Sequence, residues 1–214
     1  MIFNNREHAG ELLARRLIRY KGKNPLVLGI PRGALPMAKI IADALGGELD
    51  VVLVRKLGYP GQPELAIGAV DESGAAFLAD YAAEIGAAYL EAEKKEQLEV
   101  IRRRRALYTP TRLPIDPHDR IVIVVDDGIA TGATMITALR AVRAKKPKKL
   151  ISAVAVASSQ AARSIARECD TLVCLDVPAE FYAVGQFFRD FSQVVDEDVV
   201  ETLRQSEVRI SAAG

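Results

Sequence analysis

Two adjacent carboxylates, Asp126 and Asp127, stand between an apolar run and a small-residue turn, Gly128-Ile129-Ala130-Thr131-Gly132-Ala133-Thr134. Ile121–Val125 is an unbroken β-branched run, the pattern of a strand buried on both faces. Beyond the turn, Met135, Ala138, Leu139 and Val142 fall on one helical face. A glycine- and threonine-rich turn that opens a helix offers bare backbone N–H groups and the positive end of the helix dipole. That is an anion site, most often for phosphate. Two carboxylates beside it cannot serve the phosphate. They suit the hydroxyls of a sugar that carries it, or a metal. A strand end with solvated acids and a turn that merely needs glycine would share some of these features. An aliphatic strand, an acid pair and a TGAT turn in one frame favour a ligand.

DDGIATGAT behind four or five aliphatics resembles the phosphoribosyl diphosphate (PRPP) signature of type I phosphoribosyltransferases. The resemblance implies an α/β enzyme with a mainly parallel twisted sheet flanked by helices, a small hood and a helical insertion. The implied reaction is transfer of a 5-phosphoribosyl group between PRPP and a nitrogenous base, with release of pyrophosphate and with Mg²⁺ as cofactor. Asp126 and Asp127 would then hold the ribose hydroxyls and reach the metal only indirectly, through ribose or water. Gly128, Ile129, Ala130, Thr131, Gly132, Ala133 and Thr134 would wrap the 5′-phosphate. A PRPP-binding regulatory protein without turnover is the alternative, and a generic phosphosugar-binding protein a third.

Ligands of open α/β sheets bind at the C-terminal strand ends, so each such end is informative. The first strand runs into Pro31-Arg32-Gly33-Ala34, where glycine, arginine and a helix start again form an anion site. The resemblance makes Pro31, Arg32 and Gly33 the pyrophosphate loop. The second strand runs into Arg55 and Lys56, cations that could neutralise a diphosphate, with Lys56 the family-like one. Tyr59–Glu64, with two prolines and a glycine, matches the family's mobile loop in position, and Glu64 is the general base, a base-recognition group or a rim residue. The last strand leads to Phe181–Phe191, which holds five of the chain's twelve Phe and Tyr residues. Such aromatics can stack on a planar heterocycle or form a satellite core. By resemblance to the 6-oxopurine members, Phe181 stacks on the base and Arg189 contacts pyrophosphate. Ala130 and Ala157-Ser158 replace an Asp and a Lys of those members, which argues against hypoxanthine and guanine.

The elements that position these residues alternate. Helices are expected over Arg6–Tyr20, Ala34–Leu45, Tyr81–Leu107, Ser159–Glu168 and Asp196–Gln205, besides the one opened at the TGAT turn. Strands are expected over Pro25–Ile30, Leu49–Val54, Ile121–Val125, Leu150–Ala157 and Thr171–Asp176. Leu65–Val70 and Ala75–Ala79 read as short strands of a hairpin around Glu72-Ser73-Gly74. Strands alternating with helices argue a mainly parallel α/β sheet. The expected organisation is one domain over residues 1–214, with hood elements at 177–193 and a charged helical insertion at 80–108.

Composition adds limits. Half of the 214 residues are hydrophobic, and 29 Lys and Arg against 28 Asp and Glu leave a net charge of +1. That balance argues against a nucleic-acid-coating role. Arg102–Arg105 reads chiefly as a solvated helix face pairing with Glu96 and Glu99 neighbours; an RNA or dimer contact, hence a homo-oligomer, stays open. Cys169 and Cys174 fit no zinc or redox spacing. No apolar signal core begins the chain and no stretch is long enough to span a bilayer, so a cytoplasmic protein without membrane partners is expected.

Overall fold

Leu26-Val27-Leu28 and Val122-Ile123-Val124-Val125 have no polar side chain to turn toward water, and all seven residues are buried. Successive strand residues leave on opposite faces, so these strands need cover on both sides. The computed structural model describes residues 1–79, 82 and 84–213, and of residues 63, 64, 66 and 207–213 the backbone only. The chain runs α1 (Arg6–Leu17), β1 (Leu26–Gly29), α2 (Leu35–Leu45), β2 (Glu48–Val51), β3 (Val54–Tyr59), β4 (Gln62–Asp71), β5 (Ala76–Leu78) and α3 (Ala87–Tyr108). It continues as β6 (Ile121–Ile129), α4 (Ala133–Ala144), β7 (Lys149–Ala157), α5 (Ser159–Ile165), β8 (Thr171–Asp176) and α6 (Asp196–Ala213).

Five strands form a parallel sheet in the order β2-β1-β6-β7-β8, in which β1 pairs β6 from Leu26↔Val122 to Gly29↔Val125. The two faces carry two cores. Val27, Ile123 and Val125 pack with Leu13 and Leu17 of α1, Met37 and Ile41 of α2 and Val199 of α6. Leu26, Leu28, Val122 and Val124 pack with Met135, Ala138, Leu139 and Val142 of α4 and Ile165 of α5. The expected apolar face of α4 is thus wholly buried. Strand order reverses between β1 and β6, and at such a reversal the loops from the two strand ends diverge and leave a crevice.

Several boundaries differ from the sequence expectation. The apolar stretch Val51–Val54 looked like the end of one strand. In fact β2 stops at Val51, Val52 N–H still bonds Gly29 O (3.1 Å), and Val54 begins an antiparallel sheet β3-β4-β5. Burial of all of Val51–Leu53 hides the change of sheet from hydropathy. The loop expected over Tyr59–Glu64 is shortened to the tight turn of the β3-β4 hairpin, between Tyr59 and Gln62, with Gly61 at φ +74°; Pro-Gly suits such a turn. The side chain of Glu64 lies outside the described residues, and so does the expected start of the long helix at Tyr81. The hairpin at Glu72-Ser73-Gly74 is present, closed by Asp71, whose Oδ1 accepts from Ser73 and Ala75 N–H.

Among the described residues no helix is long and apolar enough to cross a membrane. Both cysteines are free, half-buried thiols.

Candidate active site

The PRPP-like segment lies at the reversal of strand order. β6 runs four residues beyond its expected end, so Asp126, Asp127 and Gly128 are strand residues, with Asp126↔Val154 and Gly128↔Val156 in register with β7. The two carboxylates therefore leave on opposite faces. Asp127 follows Val125 toward α1, where Arg6 Nε donates to its Oδ2 at 2.8 Å. Asp126 accepts the Asp127 N–H at 2.9 Å. Burial, and then the neighbouring charge of Asp127, push the pKa of Asp126 well above the ordinary carboxylate value.

Arg6 is 9% exposed and has three engagements. Besides Asp127 it donates from Nη1 to Ser192 O at 2.7 Å, and its guanidinium lies 3.9 Å from the centre of the Phe191 ring. A charge so buried is tolerable because it is paired and hydrogen-bonded. Nothing in the sequence marked it: Arg6 stands 121 positions before Asp127, at the start of the first expected helix.

The Pro31-Arg32-Gly33 loop does meet Asp127. A Cβ on Gly33 would stand 2.3 Å from Asp127 Oδ2, so glycine lets the loop pass without moving that carboxylate. Arg32 turns instead toward the start of α6, 3.8 Å from Asp196. Asp196 also accepts a hydrogen bond from the Tyr108 hydroxyl, whose pKa is pushed up to about 12 by burial and that bond.

The expected glycine-bearing turn does open a helix. Gly132 caps α4 with φ +88°, a conformation that favours glycine, and Ile136 N–H bonds its carbonyl at 2.8 Å. Thr131, Ala133 and Thr134 surround that helix start. Ile129 is buried and ends β6, while Ala130 is exposed. Ser158 Oγ donates to Ala130 O at 2.7 Å while capping α5. The two positions that depart from the 6-oxopurine pattern thus touch one another.

A cavity of about 390 Å³ opens beside this turn, lined by Pro31 and by Ala133, Thr134 and Thr137 of α4. Arg55 and Lys56, which belong to β3, line it too, joined by Arg104 of α3. Arg55 donates from Nε to Gln97 at 3.0 Å. Phe181 is half-buried, 5.3 Å from the Phe187 ring and packed on the main core. Arg189 has an exposed side chain, and its backbone N–H bonds Phe3 O. Val184 closes on β6, its Cγ1 2.3 Å from where a Cβ of Gly128 would be. Sequence reasoning missed Arg6, Arg104 and Val184. Only Arg104 left a trace there, spaced three and four residues from the apolar Ile101 and Tyr108.

The Arg102–Arg105 run is not a patch. Arg102 pairs with Glu99, Arg103 is exposed and Arg104 faces the cavity. Arg105 reaches Asp50, Glu72 and the carbonyl of Val51. Among the described residues no three His, Cys, Asp or Glu side chains are placed to hold a metal. A divalent cation would draw at most on Asp126 and Asp127, with ligand and water oxygens completing its shell, as suits Mg²⁺.

A family model described as a phosphoribosyl transferase domain matches residues 1–187. The chain belongs to the phosphoribosyl transferase family. Two curated Mycobacterium tuberculosis proteins, from strains CDC 1551 / Oshkosh and ATCC 25618 / H37Rv, are named provisionally as phosphoribosyl transferases. Each is 41% identical over 216 residues, covering 100% of this chain and 49% of the relative. The chain thus spans about half the length of the curated relatives it matches. The crystal structure of TT1426 from Thermus thermophilus is also similar, with 45% identity and a TM-score of 0.87 over 96% of this chain and 99% of that one. In this chain Gly33 reaches Asp127, while Pro31 and the start of α4 line one cavity.

Proposed function

We propose that this protein transfers a 5-phosphoribosyl group between PRPP and a nitrogenous base, releasing pyrophosphate. The observation that carries the reading is the meeting, at the β1/β6 reversal, of Asp126, Asp127, the α4 phosphate turn and the Pro31–Gly33 loop. The start of α4 holds the 5′-phosphate through Thr131–Thr134 N–H groups. Asp126 and Asp127 accept the ribose hydroxyls and favour positive character at C1 as the diphosphate departs. Arg6 keeps Asp127 in one orientation while that happens. Bound Mg²⁺ would neutralise diphosphate charge. The C1–O bond to diphosphate breaks with its electron pair leaving on pyrophosphate. A ring nitrogen of the base supplies the new C1–N bond, and its proton passes to solvent. Phe181 is our candidate for stacking on the base.

The test is pyrophosphate release from PRPP and Mg²⁺ with a panel of purines, pyrimidines and smaller heterocycles. Turnover with one of them is expected, without hypoxanthine or guanine as the preferred base. PRPP binding without turnover on any base would favour the regulatory alternative. That alternative needs a nucleic-acid surface, for which binding to nucleic acid at two salt concentrations is the test.

A further inference from the structure

Arg104 follows Ile101 by three residues and precedes Tyr108 by four, and those two are the buried residues of α3. Such spacings share one helix face. A guanidinium on an inward face ordinarily finds carboxylates or carbonyls. Arg105 does so, with Asp50 and Glu72 at 2.8 and 2.9 Å, and the exposed Arg102 pairs with Glu99 at 2.6 Å. Arg104 forms no hydrogen bond or ion pair among the described residues, and the space it faces is the 390 Å³ cavity.

The anchoring of Arg105 explains the aim. Each residue turns a helix by about 100°, so fixing Arg105 on the buried Asp50 fixes the azimuth of α3 and directs Arg104 inward. Three cations, Arg55, Lys56 and Arg104, line the cavity, and no carboxylate does among its described lining residues. Val52, Leu53 and Val54 make an apolar wall, which strengthens the field of those cations. Pro31 and Thr134 connect the space to the two loops of the crevice.

We propose that Arg104 is a diphosphate-binding residue, and that with Arg55 and Lys56 it makes this cavity the seat of the PRPP diphosphate. The proposal rests on the phosphoribosyl-transfer reading and deepens it: α3, the charged helix that looked like a solvated insertion, supplies a wall of the substrate site. Arginine suits the role because its planar fork can hold two phosphate oxygens at once.

The test is calorimetric titration of Mg²⁺-PRPP, Mg²⁺-pyrophosphate and ribose 5-phosphate into wild type, Arg104→Gln, Arg104→Lys and Arg103→Gln. Arg104→Gln should weaken pyrophosphate and PRPP roughly 10- to 100-fold, the size of a lost charge-assisted contact, and ribose 5-phosphate by less than about twofold. Arg104→Lys should recover part of the loss, and Arg103→Gln should match wild type. Unchanged pyrophosphate affinity in Arg104→Gln, or an equal loss of ribose 5-phosphate, overturns the proposal. Should Arg104→Gln not fold, Arg104→Lys alone decides, since binding identical to wild type leaves no role for the fork. If wild type binds pyrophosphate but turns over PRPP with no base, the transfer reading fails, while selective loss in Arg104→Gln still supports the diphosphate seat. If wild type binds neither PRPP nor pyrophosphate, both fall.

Discussion

The Asp127 carboxylate is held from two sides, by the Arg6 guanidinium at 2.8 Å and by the bare backbone of Gly33. A methyl group at residue 33 would overlap Oδ2, so Gly33→Ala should turn the carboxylate away and break its ion pair. We expect at least about tenfold weaker PRPP binding and a cost of roughly 1–3 kcal/mol from overpacking, read by titration and thermal unfolding. Undiminished affinity would show that Asp127 does not hold ribose in this orientation. Asp126 poses a different test. Its folded pKa is raised by burial and by Asp127, so the folded state keeps this proton to higher pH than the unfolded chain, where aspartate titrates near about 3.9. Stability from this group is full below that pH and is lost as pH rises through its folded pKa. Asp126→Asn keeps the shape and cannot ionise. Its melting temperature should exceed wild type at about pH 7 and converge with it near about pH 3–4, while PRPP affinity drops. A less stable Asn variant at neutral pH would contradict the burial argument.

At the scale of elements, Asp50 ties together pieces that also share the main core. It is 1% exposed and lies on β2. Arg105 of α3 donates to it at 2.8 Å, Arg112 at 3.1 Å and the Ile115 N–H at 3.0 Å. Arg105 meets Glu72 of the β4-β5 turn at the same time. Removing the Asp50 carboxylate takes away the buried acceptor that Arg105 and Arg112 share, and Asp50→Ala should cost about 3–5 kcal/mol in chemical denaturation. A loss under about 1 kcal/mol would mean that water replaces the carboxylate. Because α3 carries Arg104, the same substitution should also weaken pyrophosphate. The segment around Val184–Arg189 is tied comparably: Phe3 exchanges backbone hydrogen bonds with Phe187 and Arg189, and Val184 rests on Gly128. Phe181→Ala should therefore combine a weaker base, roughly 10- to 100-fold, with a stability loss from its contact with Phe187. Loss of stability alone would assign Phe181 to the core.

For the molecule as a whole, the crevice gathers residues from Arg6 to Ser192, so a ligand in it braces most of the chain. A ligand that binds only the folded state at about 100 times its Kd adds roughly 2.7 kcal/mol. In a domain of this size that raises Tm by about 5–10 °C. Mg²⁺-PRPP should produce such a shift in wild type and a much smaller one in Gly33→Ala. Equal shifts in both would place the ligand away from Asp127.

Much of the site was legible because it is local. An aliphatic strand, two acids and a glycine-bearing turn into a helix lie within fourteen consecutive residues, Ile121–Thr134, and each has its own short-range signature. Strand and helix alternation likewise announced the parallel sheet, and the buried faces of β1, β6 and α4 followed from periodicity. What stayed hidden depends on long-range pairing. Hydropathy cannot tell that β2 ends and β3 begins within one buried run, since both sides of the break are apolar. Nor could it show that Asp126 and Asp127 point apart, which required β6 to continue as a strand. Arg6 and Asp127, far apart in sequence, meet only because α1 packs on the β6 side of the sheet. The four consecutive arginines have one composition and diverging fates, because helix rotation and the Asp50 anchor, not residue type, decide which of them faces the cavity.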